Sequence, residues 1–331
     1  MKPISNLRAA ATGLRRRFLP NHASRITHHA SLVDGEFLLK LDRLSLQIGK
    51  DLVAGLMGEH RAIRRTAGIE FADHREYVLG DDLRRVDWNA YARLGTLHIR
   101  QAQAEHDTVL YLMLDASPSM EFGHPSKFFT ARRLAAALGY IALAHLDRVI
   151  MSTPGAAQAT DNQPLGTQFS ALNAQKWSGR AEAPLLFHHL QHLRVGGVAE
   201  FAASLTDWST RRGQGRAAVL ISDLLTDGYQ AGVRQLVGAG FAVTVLHVLS
   251  PEELAPPTIG DVELIDSETG LEMELNLGPE SLAEYRRRLE GWLEATRAWA
   301  SANGTSYLLI GSDWDIERTM LETLRRQGIT L

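Results

Sequence analysis

The strongest constraint on how this chain folds is an apolar run that stops on a carboxylate. Val109 to Leu114 carries no charged residue and is followed by Asp115-Ala-Ser117-Pro-Ser119-Met120. A short run without polar alternation reads as a strand buried on both faces, the habit of a parallel sheet covered by helices. The pattern recurs at Ala217–Ser222, which runs into Asp223. Further strand-like runs at 148–152, 241–249 and 306–310 alternate with segments of helical period. Together they predict an α/β fold with a doubly wound, mostly parallel sheet. Open sheets of this kind place ligand sites at the carboxyl ends of their strands, where Asp115 and Asp223 stand. Asp115-x-Ser117-x-Ser119 offers three oxygen donors with one full charge, a set suited to a hard cation such as Mg²⁺ or Mn²⁺. The simpler reading of both carboxylates is a capped turn, because Asp and Ser are favoured helix caps.

Composition narrows the function classes. The chain has no cysteine, so disulfides, thiolate metal sites and cysteine nucleophiles are excluded, in keeping with a cytoplasmic location. A net charge of −3 gives no general attraction to nucleic acid. No apolar run approaches the roughly 18 residues of a membrane span, and no apolar core follows the basic N-terminus as in a secretory signal.

Residues 1–33 contain six Lys and Arg and no acidic residue. They read as a poorly ordered basic arm that can touch anionic lipid or, weakly, nucleic acid. Residues 34–66 form an N-terminal helical segment; from Phe37 to Met57 the period predicts one helix, broken near Gly49. Residues 67–106 form a flanking β and loop segment, in which 96–105 is expected to be an edge strand before the central one. The α/β domain then occupies 107–331, interrupted at about 258–278 by a hairpin whose strands carry Asp261, Glu263, Glu268, Glu272 and Glu274. The hairpin and the 68–104 segment are placed together in a small flanking β subdomain. Gln168–Leu172 reads as a strand and Ile316–Gln327 as a terminal helix. Residues 281–302 carry an apolar stripe, Leu282, Tyr285, Leu289, Trp292, Leu293 and Trp299, expected to face the core.

Two motif-like patterns are set aside. His188 and His192 stand at i and i+4 on a helix, a zinc-pair spacing, but without a third ligand or an intervening Glu. Gly213-x-Gly215-x-x-Ala218 mimics a dinucleotide fingerprint yet precedes its strand, so it reads as a turn.

The most particular stretch is Arg75-x-Tyr77, Gly80-Asp81, Arg84, Asp87-Trp88 and Ala92-Arg93, followed by Arg100, Glu105 and Asp115-x-Ser117-x-Ser119-Met120. This order resembles the bacterial family called domain of unknown function 58, whose members carry a von Willebrand factor A-like domain. The resemblance covers about 66–331. It implies that Asp115, Ser117 and Ser119 form a metal-ion-dependent adhesion site, joined by Asp223 directly or through water. It also implies a threonine ligand. Here Val198 stands near that place, so the metal would rest on fewer ligands, with Glu200 or water as a substitute. Arg75, Tyr77, Asp81, Arg84, Asp87 and Trp88 become candidates for partner contact.

The first functional expectation is a non-catalytic adaptor. A Mg²⁺ or Mn²⁺ at the Asp115 site would engage an acidic group on a protein partner. The resemblance implies a MoxR-type AAA+ ATPase as that partner, working in assembly or maturation of another complex. The chain has no Gly-x-x-x-x-Gly-Lys-[Ser/Thr], so ATP hydrolysis would belong to the partner. The alternative is a metal-dependent hydrolase at the same site, with His124 as the one candidate base.

Overall fold

The structure is a computed structural model. It describes residues 34–42, 74–77, 88–100, 109–145, 148–154, 156–157, 174–196, 216–225, 228–256, 260–265 and 272–315, with Leu32, Val86, Leu205, Ser209 and Thr319 as single positions.

The described elements begin with helical residues 35–42 (α1). Asp34 caps this turn by accepting the Phe37 N–H at 2.7 Å. His74–Glu76 (β1), Trp88–Leu94 (α2) and His98–Arg100 (β2) follow, then the apolar strand Val109–Leu114 (β3). Lys127–His145 (α3), Arg148–Ser152 (β4), Ala156–Ala157 (β5) and Gln175–Ser178 (β6) come next. Ala183–His192 (α4), Arg194–Val195 (β7), Arg216–Ser222 (β8), Tyr229–Gly238 (α5) and Ala242–Leu249 (β9) continue the alternation. Pro251–Leu254 (α6), Gly260–Ile265 (β10), Glu272–Leu277 (β11), Pro279–Ala302 (α7) and Ser306–Gly311 (β12) complete the described elements.

Among the described residues, six strands form one sheet in the order β12-β9-β8-β3-β4-β6. The first five are parallel; β6 closes the edge antiparallel to β4. The expected α/β sheet is therefore present, with β3 and β8 at its centre. Side-chain alternation sorts the core into two layers. Leu110, Leu112 and Leu114 point to the face covered by α3 and α4, where Leu134, Leu138, Leu186 and Leu190 are buried. Val109, Tyr111 and Met113 point to the other face, packed with Val233 and Leu236 of α5 and with Trp292 and Trp299 of α7. At Gly139 the α3 backbone lies against α4, since an added Cβ would stand 2.4 Å from the Leu186 side chain.

Several expectations change. Of the 96–105 segment the described strand is β2, and among the described residues it pairs antiparallel with β1, Ile99 opposite Arg75, and not with the central sheet. The hairpin is as expected, β10 against β11 with Glu263 opposite Glu274, but it forms its own two-stranded sheet. Among the described residues the two ribbons thus share no strand pairing. β6 had no sequence signal, because among its four residues only Trp177 is buried, as befits an edge strand. Gln168–Leu172 and Ile316–Gln327 lie outside the described residues. α1 belongs to the same core as the sheet: Phe37 and Leu41 are buried in the α3 layer. Arg180 Nη2 further ties Asp42 Oδ1 (2.8 Å) to the Tyr140 hydroxyl (2.7 Å). No helix among the described residues is long and apolar enough to cross a membrane.

Candidate functional site

β3 and β8 are adjacent parallel strands, so the residues that leave them leave side by side. Asp115 follows β3 and keeps one ladder bond, its N–H donating to Ile221 O at 2.9 Å. Asp223 follows β8. Both are fully buried. The Asp115 carboxylate accepts the Ser117 N–H on Oδ1 at 2.9 Å and the Ser222 hydroxyl on Oδ2 at 2.6 Å. Ser117 Oγ lies 3.0 Å from Ser119 Oγ, and the Ser119 hydroxyl reaches the Asp223 carboxylate. Pro118 opens the 3₁₀ turn 118–121 that carries Ser119 inward. The loop is pinned from two sides: Ala116 N donates to Pro154 O at 3.0 Å, and Ala116 O accepts from Gly196 N at 3.1 Å. The sequence-predicted quartet, Asp115, Ser117, Ser119 and Asp223, is thus one hydrogen-bonded cluster.

Four further residues belong to the cluster and were not singled out from the sequence. Lys127, the first residue of α3, is fully buried; its Nζ lies 2.8 Å from Asp223 Oδ2 and 2.6 Å from Glu253 Oε1. Glu253 is held by a capping box: Ser250 N donates to its Oε2 at 2.7 Å, and its own N–H donates to Ser250 Oγ at 3.2 Å. This Ser-x-x-Glu spacing ahead of a helix was visible in the sequence. Ser222 bridges, donating to Asp115 while accepting the Leu224 N–H at 2.9 Å. That bond helps hold Leu224 at φ 57°, a left-handed conformation unusual for leucine. His247 of β9 is fully buried between Asp223 O (3.0 Å from Nε2) and the Tyr307 hydroxyl (2.7 Å from Nδ1). A carbonyl only accepts, so Nε2 carries the proton and Nδ1 accepts from Tyr307. The loop before α3 presses on the capping box at Gly123, whose φ is +95° and whose added Cβ would stand 2.4 Å from Ser250 Cβ.

The electrostatics divide the cluster. Burial, then the Asp223 charge, pushes the Asp115 carboxyl up to about 7, against the pull of its Ser222 and Ser117 bonds. Burial acts on Asp223 in the same sense, but the Lys127 ammonium overcomes it and holds Asp223 below the usual carboxylate range. Burial lowers Lys127, and the Asp223 and Glu253 carboxylates more than offset that, leaving it above its ordinary value. Burial raises Glu253 and lowers His247, the latter to about 4.

The donor chemistry fits a hard cation: two serine hydroxyls and two carboxylates, all oxygen, at the ends of neighbouring strands. One of the two carboxylates already has an ammonium partner. Among the described residues, no group of three or more His, Asp or Glu side chains is arranged to hold a metal ion. The residues that could hold an ion are Asp115, Ser117 and Ser119, with Asp223 behind them. Val198 and Glu200 lie outside the described residues.

The remaining candidates fall elsewhere. Trp88 and Tyr91 of α2 are exposed, 63% and 45%, in an edge-to-face pair 6.3 Å apart. Arg75 lies on β1, and Tyr77 N donates to Leu97 O at 2.8 Å. Asp81, Arg84 and Asp87 lie outside the described residues. His124 is exposed in the loop before α3. The His188 and His192 rings lie 4.2 Å apart, with His192 Nδ1 2.7 Å from the His188 carbonyl oxygen.

Comparison with known proteins agrees with the motif. The chain is 28% identical over 273 residues to the uncharacterized protein Mb1516 of Mycobacterium bovis, covering 80% of this chain and 83% of that protein. The uncharacterized protein Rv1480 of Mycobacterium tuberculosis matches with the same figures. Two solved structures are similar at a TM-score of 0.37, each covering 67% of this chain and 100% of its own: BatB from Bacteroides thetaiotaomicron, at 14% identity, and an aerotolerance-related membrane protein from Bacteroides fragilis, at 16%. The family model described as "Protein of unknown function DUF58" matches residues 73–291, well over half of the chain, and the chain belongs to that family.

Proposed function

We propose that this protein is a non-catalytic binding module whose contact point is the cluster at the carboxyl ends of β3 and β8. The observation that carries this reading is the convergence of Asp115, Ser117, Ser119 and Asp223, from two strands 108 residues apart at their ends, into one buried oxygen-lined group. Asp115, Ser117 and Ser119 would hold a Mg²⁺ or Mn²⁺, with Asp223 behind. Such an ion supplies an electrophilic coordination position for an acidic side chain of a protein partner. The family resemblance suggests a MoxR-type AAA+ ATPase for that partner, acting in the cytoplasm on the assembly of another complex. The exposed Trp88–Tyr91 pair offers a second contact surface.

The hydrolase alternative needs a general base within reach of a bound water. His124 is exposed, and His247 has both ring nitrogens engaged. The binding reading is therefore favoured.

Calorimetric titration of Mg²⁺ and Mn²⁺ into the protein and into Asp115→Ala tests it. Saturable binding that disappears in Asp115→Ala is expected, with a glutamate-bearing peptide binding only when the ion is present. Equal or absent binding in the two proteins overturns the reading.

A further inference from the structure

Lys127 is placed where a lysine is least expected. It opens α3, so its charge meets the positive end of the helix dipole, and it is fully removed from water. Both effects are unfavourable, and two short ion pairs offset them: 2.8 Å to Asp223 Oδ2 and 2.6 Å to Glu253 Oε1. Neither carboxylate can turn away freely. Glu253 is locked by its capping box with Ser250. Asp223 accepts the Leu225 N–H on Oδ1 at 3.2 Å, and its carbonyl holds His247. Asp115 takes no part in this ion-paired group, since its two oxygens are bonded to Ser117 N and Ser222 Oγ.

We propose that Lys127 is the resident cation of the site: its ammonium satisfies Asp223 and Glu253 in the metal-free protein and leaves Asp115, Ser117 and Ser119 as the half that a divalent ion enters. The second clause rests on the binding-module reading above; the first does not. Two consequences follow from the charge. The metal-free fold needs no divalent ion, because the buried carboxylates of β8 and α6 already have their counter-ion. The same ammonium lowers the affinity for a divalent ion, by neutralising Asp223 and by repulsion across a buried site of low dielectric. Lys127 is thus a positioning residue that sets how tightly the site can be loaded.

The test uses the full chain, Lys127→Met, the double variant Lys127→Met/Glu253→Gln, and Asp115→Ala. Thermal melting is read in EDTA and in Mg²⁺, and Mn²⁺ affinity is read by calorimetry. The unsubstituted protein is expected to melt within about 2 °C in the two media, because a weakly held ion adds little. Lys127→Met is expected to melt lower in EDTA, to regain about 5 °C or more in Mg²⁺, and to bind Mn²⁺ about tenfold tighter. The double variant carries one fewer unpaired buried carboxylate and should show the same gain if the single variant does not fold. A fall of more than about 10 °C in EDTA for the unsubstituted protein overturns the proposal, whatever the variants do. Mn²⁺ affinity equal to or weaker than that of the unsubstituted protein, in the variants that fold, overturns it as well. The two ideas separate cleanly. Metal binding lost in Asp115→Ala without tightening in Lys127→Met keeps the binding-module reading and ends this inference. Tight Mn²⁺ binding in Lys127→Met, with none in the unsubstituted protein, ends the binding-module reading and keeps the first clause, the ammonium as the site's resident cation.

Discussion

Asp115 and Asp223 occupy equivalent places at the carboxyl ends of adjacent parallel strands, and both are fully buried. Their pKa values nevertheless move in opposite directions, Asp115 up to about 7 and Asp223 below its usual range. Burial is the first influence on each and acts in the same sense. What differs is the partner: hydroxyl and amide donors at Asp115, a lysine ammonium at Asp223. Position in the sheet therefore places a carboxylate, while one cation from a neighbouring helix decides its charge state. The two halves of one site end up with different chemistry on a symmetric scaffold.

The largest effect should come from removing the cation. In EDTA, Lys127→Ala should cost about 3–5 kcal/mol by urea unfolding, since it leaves buried charge uncompensated. A cost under about 1 kcal/mol would show that Asp223 does not depend on this pair for its low pKa.

Removing the other half's charge should do the opposite. Asp115→Asn keeps the shape and deletes a carboxylate that ionises at a cost. Without metal, its stabilising effect should be larger near pH 8 than near pH 5 by about 2–3 kcal/mol, because the folded-state carboxyl ionises between those two values. Equal effects at both pH values would mean that Asp115 titrates in the ordinary range.

The pH profile sharpens the comparison further. A carboxyl raised from 3.8 to about 7 contributes stability that is present below 3.8 and is lost as the pH rises through about 7. His247, lowered from 6.5 to about 4, contributes stability that is present above 6.5 and is lost as the pH falls through about 4. The two slopes oppose each other over most of this window, so the sum of these two contributions should be nearly flat there. His247→Gln should expose the Asp115 slope as a steady decline from about pH 4 to pH 7. A variant profile as flat as the parent's would refute the pairing.

The smallest expected change is Ser222→Ala, which removes the donor to Asp115 Oδ2 and the acceptor for Leu224 N. A loss of about 1–2 kcal/mol is expected, with the Asp115 transition moved to higher pH. An unmoved transition would show that the Ser117 amide alone holds that carboxylate.

What could be read from the linear chain was what depends on near neighbours. The apolar runs that end at Asp115 and Asp223 specified central parallel strands, because only a strand covered on both faces tolerates so little polarity. The Ser117 and Ser119 hydroxyls follow Asp115 at a spacing that the turn preserves, and the stripe of α7 puts Leu282 and Leu289 in the core. The weakly patterned parts escaped: β6 buries one side chain, and the β1–β2 ribbon pairs with itself instead of extending the main sheet. The electrostatic partners of the site escaped too, although Lys127 at the start of an apolar helix and the Ser250–Glu253 box were signals that could have been followed. Lys127 meets Asp223 and Glu253 across 96 and 126 residues of chain. His247 reaches Asp223 from a third strand. Local pattern determined which residues sit at the ends of the central strands; only the packing of α3 and α6 over those ends decided which of the two carboxylates is answered by a charge. Secondary structure follows from neighbours in sequence, whereas the charge state of a buried group follows from whatever the fold brings within a few ångströms of it.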